Sequence, residues 1–206
     1  VESIQYAKRL QSAILPHYGE WTMMFLENFV FFQPKDIVSG DFYWHNEIGD
    51  RIFFAVADCT GHGVPGAMVS FVCYNALNAA IKQGIMEPDK ILDFAREQVL
   101  ETFSATKENI NDGMDIALCQ FNKKTKTLSF SGAYNSLWVV SDQKHLERQN
   151  AHAVFPPENY PDYTLFEWKG DKMPVGKSSK EDAFTKVEIQ IQSNDTIYLT
   201  SDGFAD

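Results

Sequence analysis

The sequence predicts an α+β fold, and three observations carry that reading. Strand-like runs come first, two amphipathic helical stretches follow back to back, and strand-like runs then resume. A doubly wound parallel sheet would interleave strands and helices instead. The chain has 206 residues with 44% hydrophobic content, enough for one sizeable domain with a filled core, and no shift in composition marks a second one. Lys and Arg number 18 against 28 Asp and Glu, a net charge of -10 that argues against a nucleic-acid partner or an anionic membrane surface and suits a site that collects cations. Cys59, Cys73 and Cys119 are odd in number and lack metal-ligand spacing, so a reducing, cytoplasmic compartment is expected. No signal-peptide pattern, internal repeat or low-complexity tract is present, and no apolar run approaches the roughly 20 residues that span a bilayer.

In chain order, residues 1–15 read as an amphipathic helix with Ile4, Ala7, Leu10 and Ile14 near one face, stopped by Pro16. The chain opens inside this helix without an initiator Met, so it is expected to be a piece of a longer protein. Residues 1–16 would be a linker helix and 17–206 the domain proper. The helix either packs on its own domain or forms a dimerising coil; one helical stretch does not decide between them. Met23 to Phe32 is strongly β-prone. Phe42 to Glu47 and Ile52 to Ala57 then read as a hairpin joined through Glu-Ile-Gly-Asp-Arg, which sets Asp41 and Asp58 at the same end of adjacent strands. Val69, Val72, Cys73, Ala76, Leu77 and Ala80 form a helical stripe that should face a sheet, and Pro88 opens a second helix carrying Ile91, Ala95, Val99 and Phe103. Met114 to Phe121, Leu128 to Ser131, Leu137 to Ser141, Val187 to Gln192 and Thr196 to Thr200 read as strands. Gln149 to Lys180, rich in Pro, Gly, Asp and Lys, reads mostly as loop.

The stretch Val56-Ala-Asp-Cys-Thr-Gly-His-Gly-Val-Pro-Gly-Ala67 organises the rest. A strand ends at Asp58, glycines allow a tight turn, and Pro65 suits the first turn of a helix, where its missing N–H costs nothing. Asp41 and Asp202 repeat the theme, each at a strand edge beside a glycine. Two neighbouring carboxylates repel and raise each other's pKa, and a divalent cation between them removes that penalty, oxygen donors suiting Mg2+ or Mn2+.

The contexts S-G-D-F-Y-W, A-D-C-T-G-H-G-V-P-G-A and T-S-D-G-F-A-D, with A-I-L-P closing the first helix and M-P-V-G at 173–176, resemble the PP2C-like metal-dependent serine/threonine phosphatases, in the bacterial branch typified by SpoIIE and RsbU. The resemblance implies a four-layer α-β-β-α sandwich of two antiparallel sheets with two divalent cations, Mn2+ or Mg2+, at one end. It implies that Asp41 and Asp58 bridge both ions, that the carbonyl of Cys59 binds one, and that Asp202 binds the other. Two such ions can lower the pKa of a shared water and offset charge on the phosphoryl oxygens. By the same resemblance His62 protonates the departing serine oxygen; a structural hydrogen bond in the turn is the alternative. The implied partner is a phosphorylated protein, often a STAS-type anti-sigma-factor antagonist, with an N-terminal sensor domain upstream and a homodimer through the linker helix.

This sequence departs from the pattern at two places. Position 59 is Cys where relatives commonly carry Gly or Met, which is tolerable if only its carbonyl serves. The chain stops at Asp206, whereas relatives continue to a closing strand with an Asp-Asp pair, so the sandwich is expected to be truncated at its C-terminus, to bind one ion weakly and to be poorly active or inactive. Asp115 and Asp206 read first as a strand-end and a terminal turn acid, with a third, loosely held ion as the alternative, and Lys35 as a solvated lysine. His17, His45, His145 and His152 lack ligand spacing. A cysteine phosphatase would need Arg at position 65, where Pro stands, and no phosphate-binding G-x-x-x-x-G-K-[ST] loop exists. The remaining alternative is a pseudo-phosphatase that binds a phosphoprotein without turnover.

Overall fold

The computed structural model describes residues 2–25, 27–104, 112–142, 151–154, 162–180 and 182–204. In chain order the elements are α1 (Glu2–Ile14), α2 (Tyr18–Met24), β1 (Phe42–Ile48), β2 (Arg51–Cys59), α3 (Gly63–Lys82), α4 (Pro88–Ser104), β3 (Gly113–Asn122), β4 (Thr127–Ala133), β5 (Leu137–Ser141), β6 (His152–Val154), β7 (Thr164–Trp168), β8 (Val175–Gly176), β9 (Val187–Gln190) and β10 (Thr196–Leu199), ending in a 3-10 turn at Asp202–Phe204. They build the expected α+β fold with two antiparallel sheets. The first runs β1-β2-β3-β4-β9, with β8 on the start of β3; the second runs β10-β5-β7-β6.

Strand alternation sorts the side chains into two cores. Phe53, Ala55, Ala57 and Cys59 of β2 face α3 and α4, together with Trp44, Ile116 and Leu118. Ile52 and Phe54 face the second sheet, where they meet Ala117, Cys119, Leu137, Val139, Phe166 and Trp168. Asp58 shares the parity of Ile52 and Phe54, so the same alternation that buries the core points its carboxylate between the sheets. α3 contributes Val69, Cys73, Ala76, Leu77 and Ala80 to the first core, as its stripe predicts, and Trp44 Nε1 donates to Asn78 Oδ1 of α3 at 2.9 Å. Both long helices cover the first sheet. The second core lies between the two sheets.

Several sequence-level readings are corrected. The β-prone run Met23 to Phe32 forms no strand among its described residues: α2 ends at Met24 and residues 27–41 are irregular. Its aromatic side chains pack instead of pairing, with Phe25 edge-on to Phe54 at 5.5 Å and Phe32 edge-on to Tyr43 at 5.5 Å. In α1 the buried residue is Gln11, while Leu10 is 46% exposed. The stretch taken as loop before Lys180 carries β6, β7 and β8. α3 is long and apolar enough, by length and composition, to cross a membrane, contrary to the expectation that no run approaches that length. Its buried face belongs to the core that packs it on β2 and β3, which accounts for its composition.

Candidate metal centre

The hairpin register pairs Phe42 with Ala57, so the residues one step beyond, Asp41 and Asp58, lie side by side. Asp58 also stands opposite Asp115 in the β2–β3 ladder. Asp202 arrives from the turn after β10. Asp41 and Asp202 both lie near enough to the Asp58 carboxyl to act on it, and Ser201 Oγ donates to Asp41 Oδ2 at 3.5 Å. Burial pushes the Asp58 carboxyl up to about 8, with Asp41 and then Asp202 adding to the effect. Burial, then Asp202, raises Asp115 to about 6.

The backbone around these acids is packed tightly. A Cβ on Gly40 would lie 2.6 Å from the Gly61 carbonyl oxygen and 2.8 Å from that of Cys59; one on Gly66 would lie 2.3 Å from the Gly61 oxygen. Only glycine lets the Asp41 loop, the turn after Asp58 and the start of α3 approach this closely. The turn is further tied to β3, where the Thr60 amide donates to the Gly113 carbonyl at 3.0 Å and the Gly113 amide donates to Thr60 Oγ1 at 3.2 Å. On the other side, the Asp41 amide donates to Ser39 Oγ at 3.0 Å. Ser39 is held by Gln11, whose Nε2 donates to the Ser39 carbonyl at 2.6 Å and whose Oε1 accepts from the Ser39 amide at 3.0 Å.

Asp41, Asp58 and Asp202 come together. The Cys59 side chain points away into the helix-facing core, where burial and then the neighbouring Cys73 hold its thiol far above the usual range. Only its carbonyl, beside Gly40, faces the loop that carries Asp41. His62 stands at the N-cap of α3 with its side chain 77% exposed, and its Nδ1 meets Asp36 Oδ2 at 2.9 Å. Asp115 joins the cluster and, with Asp58, Gly113, Pro174 and Gly176, lines a cleft of about 300 Å³. The M-P-V-G segment thus helps to wall the site. Lys35 is exposed, Asp206 and His145 lie outside the described residues, and Trp21, Trp44 and Trp168 are core residues. Sequence reasoning missed Asp36, Ser201 and Gln11. Ser201 could have been found beside Asp202 in T-S-D-G; Asp36 and Gln11 carry no local signal.

The donor set fits hard divalent cations: carboxylate oxygens and a backbone carbonyl, with no soft ligand. Among the described residues, no three His, Cys, Asp or Glu side chains form a coordination cage. The crowding that raises Asp58 is the repulsion that a divalent cation between the carboxylates would relieve.

Two facing antiparallel sheets with carboxylates gathered at one end define the PP2C-like class of fold. The family model described as Stage II sporulation protein E (SpoIIE) matches residues 48–206, and the chain belongs to that family of PP2C-like phosphatase domains. It is similar to the SiaA-PP2C domain of Pseudomonas aeruginosa, with 29% identity and a TM-score of 0.76, over 98% of this chain and 72% of that one. The fold also matches the PP2C phosphatase domain of SpoIIE with a fragment of its regulatory domain from Bacillus subtilis (18% identity, TM-score 0.57, 81% of this chain, 41% of that chain). A third match is a Mycobacterium tuberculosis structure comprising RsbU and RsbW domains (16% identity, TM-score 0.56, 79% and 38%). A search among curated proteins returns no match.

Proposed function

We propose that this domain is a metal-dependent protein serine/threonine phosphatase that hydrolyses phosphoserine or phosphothreonine by direct attack of water on phosphorus. The observation that carries the reading is the meeting of Asp41, Asp58 and Asp202 from three distant segments, crowded enough to push Asp58 up to about 8. Asp41, Asp58, the Cys59 carbonyl and Asp202 would hold two divalent cations, Mn2+ or Mg2+. Bound there, such ions supply a low-pKa water and positive charge for the phosphoryl oxygens. The chain's own residues fix where these groups stand: Gln11 and Ser39 hold the Asp41 loop, Thr60 holds the turn after Asp58, and Ser201 ties the Asp202 turn to Asp41. His62, exposed at the N-cap of α3, would donate the proton to the departing serine oxygen.

The substrate in this reading is a phosphorylated STAS-type regulator. Its support is the fold shared with a chain that carries RsbU and RsbW domains together, and the likeness to the SiaA-PP2C domain. The setting would be cytoplasmic, consistent with three free, buried cysteines. A sensor domain would act through α1, whose exposed Tyr6 and Leu10 offer a face for a second copy of the helix. The test is turnover of a phosphoserine peptide with Mn2+. We expect activity that chelation abolishes and that Asp58→Asn lowers by about two orders of magnitude or more. Mn2+ binding by calorimetry without any turnover would make the domain a phosphoprotein-binding module instead.

A further inference from the structure

His62 occupies the N-cap of α3 with extended backbone angles (φ -128, ψ 171) but gives α3 no side-chain capping bond. Its ring turns instead to a residue 26 positions earlier, and Nδ1 lies 2.9 Å from Asp36 Oδ2. The partners are 77% and 43% exposed, and an exposed pair adds little to stability, so holding the fold together is a weak explanation for it. The local backbone is nevertheless shaped around the contact. Gly63 has φ +61, and a Cβ there would stand 3.3 Å from Asp36 Oδ2, so a side chain at this position would crowd the carboxylate. Asp36 is also not on a free tether: two residues later Val38 is buried at 1% exposure, and Ser39 is clamped by Gln11.

We propose that Asp36 is a positioning residue for His62, an inference that rests on the phosphatase reading above and on His62 as its proton donor. A carboxylate only accepts hydrogen bonds, so the contact keeps a hydrogen on Nδ1, and when the ring carries both protons Nε2 is the atom that gives one up. The same division of labour orients the histidine of hydrolytic triads. In the step served, the water oxygen bonds to phosphorus and the bond from phosphorus to the serine oxygen breaks. The released electron pair takes the proton from His62 Nε2, giving serine. Phosphate leaves as hydrogen phosphate carrying the water oxygen and one of its protons. The second water proton passes to solvent, and neutral His62 regains one from solvent, its Nδ1 hydrogen held on Asp36 throughout.

The measurement compares two substrates in the full chain with Mn2+. A phosphoserine peptide releases an alkoxide that needs a proton; p-nitrophenyl phosphate releases a phenolate that is stable without one. Asp36→Asn is expected to lower kcat on the phosphoserine peptide by about 10- to 100-fold while the loss on p-nitrophenyl phosphate stays several-fold smaller, with Asp36→Glu recovering part of the difference. His62→Gln should show the same substrate split, and the double variant should be no worse than His62→Gln alone. Equal losses on both substrates, or no loss on either, would overturn the role of Asp36. A split in His62→Gln without one in Asp36→Asn would overturn Asp36 while keeping His62 as donor. No turnover of either substrate by the parent chain would overturn the phosphatase reading itself. Thermal melts of each variant separate these outcomes from misfolding.

Discussion

Gln11 sets its side-chain amide against both polar groups of the Ser39 backbone and also donates to Ser70 Oγ of α3 at 3.2 Å. Replacing it with Ala would strand a buried N–H and a buried C=O at once, and each unsatisfied group costs about 1 to 3 kcal/mol. We expect Gln11→Ala to lose about 2 to 4 kcal/mol in urea unfolding and to bind Mn2+ more weakly, because the Ser39 hydroxyl it steadies accepts the Asp41 amide hydrogen. Leu10→Ala, at an exposed position, should stay within about 0.5 kcal/mol of the parent. The opposite order would restore the helix face read from hydropathy. That reading placed Leu10 inward because a polar amide scores as surface until its partners, 28 and 59 residues away, are known. The metal-site acids were legible for the converse reason: each stands next to a glycine at the end of an apolar run, a local pattern. Asp36 had no such neighbour pattern, and only the fold brings it to His62.

At the level of elements, the start of α3 is seated against two loops by the absence of side chains. A Cβ on Gly66 would lie 2.3 Å from the Gly61 carbonyl oxygen and 3.2 Å from Gly40 Cα, both backbone atoms that cannot swing aside. Intrinsic helix preference favours Ala over Gly by up to about 1 kcal/mol, whereas forcing extra volume into a packed site costs about 1 to 3 kcal/mol and sometimes more. The clash is backbone against backbone, so the second effect wins. Gly66→Ala is expected to be destabilised by about 1 to 2 kcal/mol net, and the displaced loops should weaken Mn2+ binding in calorimetry; a variant more stable than the parent would show that the three segments move apart easily. Elements were legible where period and punctuation agreed, as in the β1–β2 hairpin, α3 and α4. They were not where apolar content served another purpose. The aromatic run after α2 covers the edge of the inter-sheet core instead of pairing as a strand, and strand preference largely reflects such context. β7 went unread because its short alternation, with Phe166 and Trp168 inward, sits in a stretch whose average composition is that of a loop.

Across the whole molecule, the hairpin alone brings Asp41 to Asp58, but Asp202 joins from a segment whose neighbouring Ser201 is 160 residues from Asp41, which no local pattern in the sequence could have paired. The gathering of acids has a cost that depends on pH. Asp58 is raised from 3.8 to about 8, first by burial and then by Asp41 and Asp202. Below about 3.8 Asp58 is neutral in both folded and unfolded chains, and the penalty is absent. From there to about 8 the unfolded chain gives up this proton while the folded one keeps it, so folding takes up a proton and the contribution of Asp58 to stability falls as pH rises. Above about 8 the loss is complete. Asn at this position cannot ionise, so without divalent cations Asp58→Asn should gain stability relative to the parent steadily from pH 5 to pH 8, measured by urea unfolding in the presence of a chelator. Mn2+ reverses the order. It displaces the proton from Asp58, so its affinity for the parent rises over the same pH window, and at about 100 times its Kd it adds about 2.7 kcal/mol to a chain that binds it and less to the Asn variant. Parallel pH profiles for parent and variant in the chelator would mean that the carboxylates do not share a site, and the proposed metal centre would fail with them.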